Sequence, residues 1–248
     1  AALEEYIKDL FAGTINLNGE ERLKRLSQIF SYSGNQNNPP DFMIRGGDAI
    51  EVKKIEGIGS SLALNSSYPK HKLFSNSTMI TESCRSCEDW HEKDIIYVVG
   101  VVPKNNRIKQ LSLIYGMDYA ADEQTYTRIK DAISLGVNSL PDIEFGNTNE
   151  LARINRVDPL GITYLRVRGM WGIENPLNVF NYIYSPDEGK DFNLMAIINN
   201  EKYSSFSNCD SFERFVHTRD DISITNVTIK DPNNPIRLVN SKLIKFSC

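Results

Sequence analysis

The stretch from Pro40 to Lys54 constrains this chain more than any other. Asp41 to Arg45 is a short, mainly apolar run, Gly46 and Gly47 follow as a pair, and Asp48 to Lys54 alternates apolar and charged side chains. Two such runs around a glycine pair read as a β-hairpin, because glycine accepts the positive φ of a tight turn. Side chains alternate along a strand, so Glu51 and Lys53 share one face while Ile50 and Val52 point into a core. Antiparallel pairing across the turn brings Asp41 toward Glu51 and Lys53. The spacing therefore predicts two carboxylates and one ammonium on one face of a sheet.

Two converging carboxylates suit a hard cation such as Mg²⁺, which prefers oxygen ligands and keeps several waters. Asp41 and Glu51, with the Val52 carbonyl, are the expected ligands. Lys53 is placed to orient or acidify an attacking water and to offset charge on a phosphate. The same E-x-K spacing also occurs as an ordinary solvated ion pair, and the residues alone leave both readings open. Glu4 lies one and two turns before Ile7 and Phe11, bordering the apolar face of a first helix. It is a candidate third carboxylate or a solvated helix residue.

The elements around the hairpin follow from periodicity. Leu3 to Phe11 reads as an amphipathic helix, and Glu20 to Phe30 as a second with Leu23, Leu26, Ile29 and Phe30 on one side. Ser33 to Pro40 reads as a loop by composition, and Gly57 to Ser67 as small and polar. Asp94 to Val102 is an apolar strand, and Arg107 to Tyr119 its partner. Asp122 to Leu135 is a helix stopped by Gly136, and Pro176 opens a short one running to about Tyr184. Strands are expected at Ile162 to Val167, Phe192 to Ile198, Ile222 to Ile229 and Lys242 to Phe246. No repeat or linker interrupts 1–248, which reads as one domain, with the catalytic core in the N-terminal half. No apolar run approaches the roughly 18 residues of a membrane span, and no apolar h-region marks a signal peptide. The chain opens inside a helix, so residues are expected before Ala1. The formal net charge of −4 excludes a strongly basic nucleic-acid coat protein but not an enzyme with a local basic surface. Four cysteines in 248 residues suit a reducing cytoplasm rather than a disulfide scaffold.

Several longer blocks carry a resemblance: GNQNNPPDFMIRGGDAIEVKK, SSLALNSSYPK, CRSCEDW with EKD just after it, and DPLGITYLRVRGMWGIENP. They resemble the NgoPII family of type II restriction endonucleases over nearly the whole chain. The resemblance implies an α/β (α+β) fold: a restriction-endonuclease-like PD-(D/E)xK core with a central mixed sheet flanked by helices. It also implies Mg²⁺-dependent cutting of double-stranded DNA at a short GC-rich palindrome, typically GGCC, leaving 5′-phosphate ends. The family's catalytic pattern maps onto Asp41, Glu51 and Lys53, and a first-helix glutamate maps onto Glu4 by inference. A homodimer in a prokaryotic cytoplasm is the expected form, since a palindrome has two-fold symmetry.

The DNA-reading elements are expected in the C-terminal half. Arg166 and Arg168 alternate on one strand face, with Trp171 after them, and an arginine fork matches guanine O6 and N7. Phosphate or surface carboxylates are their other natural partners. Ser66, Ser67, Tyr68, Lys70 and Lys72 form a hydroxyl-rich basic segment suited to clamping phosphate, or an ordinary surface loop, and Arg45 joins them beside the hairpin turn. His71, Cys84, Cys87 and His91 have the ligand types of a zinc site, with free thiols packed near Trp90 as the alternative. Three rivals remain at this point: a structure-selective or repair nuclease of the same fold, a non-catalytic DNA-binding module, and a zinc-stapled interaction protein.

Overall fold

A computed structural model describes residues 2–35 and 38–248. In chain order, α1 (Ala2–Ala12) and α2 (Gly19–Ile29) precede β1 (Phe30–Asn35), β2 (Asn38–Ile44), β3 (Ala49–Ile55), β4 (Leu62–Asn65) and β5 (Lys72–Phe74). A short α3 (Glu82–Arg85) leads to β6 (Glu92–Val101), β7 (Gln110–Tyr115), the turn-like α4 (Gly116–Tyr119) and the long α5 (Glu123–Asn138). The minor strands β8 (Phe145–Gly146), β9 (Ala152–Ile154), β10 (Leu165–Val167) and β11 (Trp171–Ile173) follow, then α6 (Pro176–Val179). The chain closes with β12 (Asn193–Asn199), α7 (Asn200–Ser204), α8 (Cys209–Val216), β13 (Ile222–Lys230) and β14 (Leu238–Ser247).

The main sheet runs β1-β2-β3-β6-β7-β12-β14-β13, with β5 added beside β6. The β3–β6 and β7–β12 pairs are parallel, and the others are antiparallel. This is the mixed sheet flanked by helices that the resemblance implies. The middle strand β6 is almost continuously buried from Ile95 to Val101, as a strand covered on both faces must be. Phe42, Ile50, Ile96, Val98 and Leu111 face α1, whose Leu3 and Ile7 close that layer. Met43, Ala49, Ile95, Tyr97, Val99 and Ile114 face the opposite layer with Leu62, Leu64, Leu73 and Phe180. Gly100 lets α1 approach, since a Cβ there would meet Leu3 Cδ2 at 2.6 Å.

The helices α1 and α2 are tied by Arg22, which bonds Asp9 at 2.7 Å and Glu5 at 3.0 Å. Within α2, Leu26 and Ile29 pack against the core, whereas Leu23 is exposed. The segment expected as a loop from Ser33 to Pro40 contains strand instead: Ser33 pairs Phe42 and Asn35 pairs Asn38. Backbone pairing overrides a turn-like composition there. Gln36 and Asn37 lie outside the described residues. The helix α5 runs through Gly136 to Asn138, because Gly136 keeps a negative φ and nothing forces the chain to turn. Its start is as expected, with the Asp122 side chain accepting from the Thr125 amide. By contrast, α6 ends at Val179, well short of Tyr184.

The hairpin strand β2 is anchored by Phe42, which is fully buried and meets the Phe30 ring edge-on at 5.1 Å. Phe42→Ala is expected to cost about 3–5 kcal/mol, measured by urea denaturation. A loss below about 1 kcal/mol would mean that this layer is not a packed core.

Candidate active site

The hairpin forms as its sequence requires. Gly46 takes φ +64°, the Gly47 amide donates to Ile44 O at 2.9 Å, and the Ile44 amide donates to Asp48 O at 3.0 Å. The β2–β3 ladder pairs Met43 with Ala49 and Phe42 with Ile50, and then stops. The next position on β2 is Asp41. Its carboxylate takes over where the ladder ends, accepting from the Val52 amide at 2.6 Å. A residue's N–H and C=O leave a strand on the same edge, so the Val52 carbonyl faces the same gap.

On that face Lys53 Nζ lies 2.6 Å from Glu51 Oε1. The other carboxylate oxygen, Glu51 Oε2, is buried with no hydrogen-bond partner. Burial and then repulsion from Glu51 push the Asp41 pKa up to about 7, against the Val52 hydrogen bond and the Lys53 charge. Burial disfavours the charged form of Lys53, but Glu51, Asp41 and Glu4 outweigh it and hold its pKa above the ordinary lysine value. Two crowded carboxylates, one with an orphaned oxygen, make a donor set that a hard divalent cation would complete. Glu4 acts on Asp41 and Lys53 only through its charge. Its carboxylate sits 3.4 Å from Lys8 Nζ on α1. Among the described residues it does not join Asp41 and Glu51 as a third convergent ligand.

Asp41, Glu51 and Lys53 line a cavity of about 490 Å³. Asn38 and Pro39 border it on one side, Leu64 to Ser67 on another, and Met79, Arg168 and Met170 complete the wall. The β4–β11 pair, with Trp171 opposite Asn65, brings the distant Arg168 segment to the β2–β3 hairpin.

A family model for the NgoPII restriction endonuclease matches residues 1–230. The Type II restriction enzyme NgoPII of Neisseria gonorrhoeae is 55% identical over 245 residues, covering 99% of this chain and 87% of that protein. The chain belongs to the NgoPII restriction endonuclease family. It is therefore a type II site-specific deoxyribonuclease. No solved structure gives a significant match.

Other expected site residues of this family member are distributed unevenly. Ser66 and Ser67 are on the cavity wall. Tyr68 and Lys70 are buried rather than in a surface loop. The Tyr68 hydroxyl donates to Glu123 Oε1 at 2.5 Å, and its ring stacks on Tyr126 and meets Trp171 edge-on. Lys70 Nζ has no hydrogen-bond acceptor and lies 3.6 Å from the Tyr68 ring centroid. Burial pushes its pKa down to about 8. A phosphate clamp needs an accessible cation, so Lys70 and Tyr68 as placed here do not make one. Lys72 is paired with Glu92 at 2.7 Å. Arg45 donates to the carbonyls of Ser27, Gln28 and Phe30, closing the C-terminal end of α2, where a cation also favours the helix dipole. Arg166 and Arg168 both bond Glu150, a residue that sequence reasoning missed.

The four zinc candidates do not converge. The His71 ring lies 3.3 Å from Ala120 O, and His91 is exposed. Cys84 is buried with Sγ 3.6 Å from Met43 Sδ, and burial pushes its thiol up to about 12. Cys87 Sγ donates to Cys84 O. The segment after them braces the β2–β3 hairpin instead. Lys93 Nζ bonds Gly47 O and Glu88, and Glu88 accepts from the Gly46 amide at 3.0 Å. Glu88 and Lys93 lie far from the glycine pair in sequence, and no local pattern announces this brace.

The electrostatics set a pH dependence. With its folded pKa near 7 against 3.8 for an ordinary aspartate, native Asp41 holds more proton than the unfolded chain between these values. Stability of metal-free protein should therefore fall as pH rises through that window. Asp41→Asn keeps an oxygen for the Val52 amide and should raise the melting temperature of metal-free protein at pH 8. A lowered value there would contradict the burial and repulsion described. Arg45→Ala should cost about 1 kcal/mol of stability while leaving DNA affinity unchanged in a gel-shift titration.

Proposed function

We propose that this enzyme hydrolyses both strands of duplex DNA at a short GC-rich palindrome, GGCC, in a Mg²⁺-dependent reaction leaving 5′-phosphate and 3′-hydroxyl ends. The observation that carries the reading is the convergence of Asp41, Glu51 and Lys53 on the floor of one cavity whose wall includes Arg168. Asp41, Glu51 and the Val52 carbonyl would hold the metal. When bound, Mg²⁺ supplies positive charge to offset the phosphodiester and to lower the pKa of water. Lys53 stays charged beside Glu51, where it can donate to water and orient it toward phosphorus. As the new O–P bond forms and the P–O3′ bond breaks, the same ammonium offsets charge gathering on the phosphoryl oxygens. Glu4 adds negative charge nearby, which favours the charged form of Lys53.

Arg168 and Arg166 are read as the base-contacting arginines, with Ser66 and Ser67 toward the phosphate backbone. Two copies would give each strand of a palindrome one active site. The setting is the cytoplasm of a prokaryotic cell, and no described helix is long and apolar enough to cross a membrane.

Digestion of a sequenced plasmid with Mg²⁺, followed by end mapping, tests this directly. Discrete bands with ends at GGCC are expected. A smear or cuts at branched structures would mean shape-selective cutting, and DNA retention without any cutting would mean a binding module. Lys53→Ala should lower the cleavage rate by a factor of about 10³ or more with cognate binding retained in a gel shift. Cutting at the wild-type rate would remove Lys53 from the reaction.

A further inference from the structure

Glu150 is an unexpected carboxylate on a surface meant to meet a polyanion. It stands at the base of the β9–β10 hairpin, where Ala152 pairs Val167 and Arg153 pairs Arg166. Arg166 meets it with two parallel bonds, Nε to Oε2 at 2.9 Å and Nη2 to Oε1 at 2.5 Å. Arg168 joins through Nε, which donates to the same Oε1. The Glu150 side chain is only 14% exposed, whereas those of Arg166 and Arg168 are 48% and 50% exposed. The carboxylate is thus the sunken centre, and the arginine heads stand around it. Its backbone is fixed from below: Leu151 O accepts from Ser134 Oγ at 2.7 Å and from Asn138 Nδ2 at 3.0 Å, both on α5. The Leu151 amide in turn donates to Val167 O at 3.1 Å.

The two arginines are spent differently. Glu150 occupies one whole edge of the Arg166 guanidinium. It takes only Nε of Arg168, so the pair of terminal nitrogens of Arg168 is the fork not used by Glu150. Arg168 is also the arginine that lines the cavity holding Asp41, Glu51 and Lys53. That fork has the geometry to bond guanine O6 and N7 together.

We propose that Glu150 is a specificity-determining positioning residue. It fixes Arg168, with Arg166 as the buttress, so that one guanine is read next to the catalytic cavity. The proposal rests on the reading of Arg166 and Arg168 as the DNA-reading face. A carboxylate here weakens contact with any phosphate, cognate or not. What it returns is order: a long, flexible guanidinium is held in one pose before DNA arrives, which lowers the entropy lost on correct binding. Discrimination, not affinity, is what such a residue improves.

The test uses the full chain with Mg²⁺, and duplexes carrying either the site mapped by plasmid digestion or that site with one base pair changed. In Glu150→Gln the ratio of kcat/KM on the intact site to that on the changed sites should fall about tenfold or more. Binding of a duplex without the site, measured without divalent metal, should tighten in the same variant. Glu150→Ala should reproduce both changes, and circular dichroism should show both variants folded. Arg168→Ala should lose the ratio as well. If the ratio survives in both Glu150 variants but collapses in Arg168→Ala, Glu150 does not position the reader and only this inference falls. If it survives in Arg168→Ala, the DNA-reading assignment falls with it. A merely structural Glu150 would lower cleavage of all duplexes alike, which also overturns the proposal.

Discussion

The place where the β2–β3 ladder stops governs everything that follows. Backbone pairing ends at Phe42 and Ile50, and a buried amide beyond the last pair has to find another acceptor. Asp41 provides it through Val52. One side chain thereby finishes the hairpin and becomes fixed beside Glu51. The same step buries a second negative charge next to the first, and the fold tolerates it through Lys53 and the upward shift of Asp41. The site is held in a state of unmet electrostatic demand that a cation would relieve.

The surrounding structure serves to keep that hairpin rigid. Lys93 and Glu88 grip the glycine turn from one side. At its end, Asp48 accepts from Lys202 and from the Tyr115 hydroxyl. Arg45 ties the same turn to the end of α2. Each contact comes from a different part of the chain, so the geometry of Asp41, Glu51 and Lys53 reports the packing of the whole main sheet. This is how three charged side chains on a short two-stranded unit can be held in one geometry.

The local half of this arrangement was legible in the sequence. Period-two alternation at Glu51 and Lys53, a glycine pair and an apolar run at Phe42 and Met43 are signals carried within fifteen residues. The strand β6 and the start of α5 at Asp122 were equally plain. What could not be read was decided at long range. Ser33 and Asn35 have loop composition but gain backbone partners on β2. Tyr68 and Lys70 look like surface groups until Glu123, Tyr126 and Trp171 meet Tyr68 and the Lys70 ammonium lies over the Tyr68 ring. The cysteines suggested a metal by type, yet Cys84 turns toward Met43 in the core. Glu150 was invisible because its meaning lies in the pairing of β9 with β10, and no local pattern announces that register.

The small β4–β11 ladder also has a bearing on how the molecule is made. It joins Ala63 to Gly172 and Leu62 to Ile173, a loop closure across roughly a hundred residues, which is slow and entropically costly compared with a hairpin turn. The wall carrying Arg168 can therefore close beside Asp41 and Glu51 only after most of the polypeptide exists. In a chain made from its N-terminus, the finished cavity is thus one of the last features to take shape, although Asp41, Glu51 and Lys53 are among the first residues synthesised.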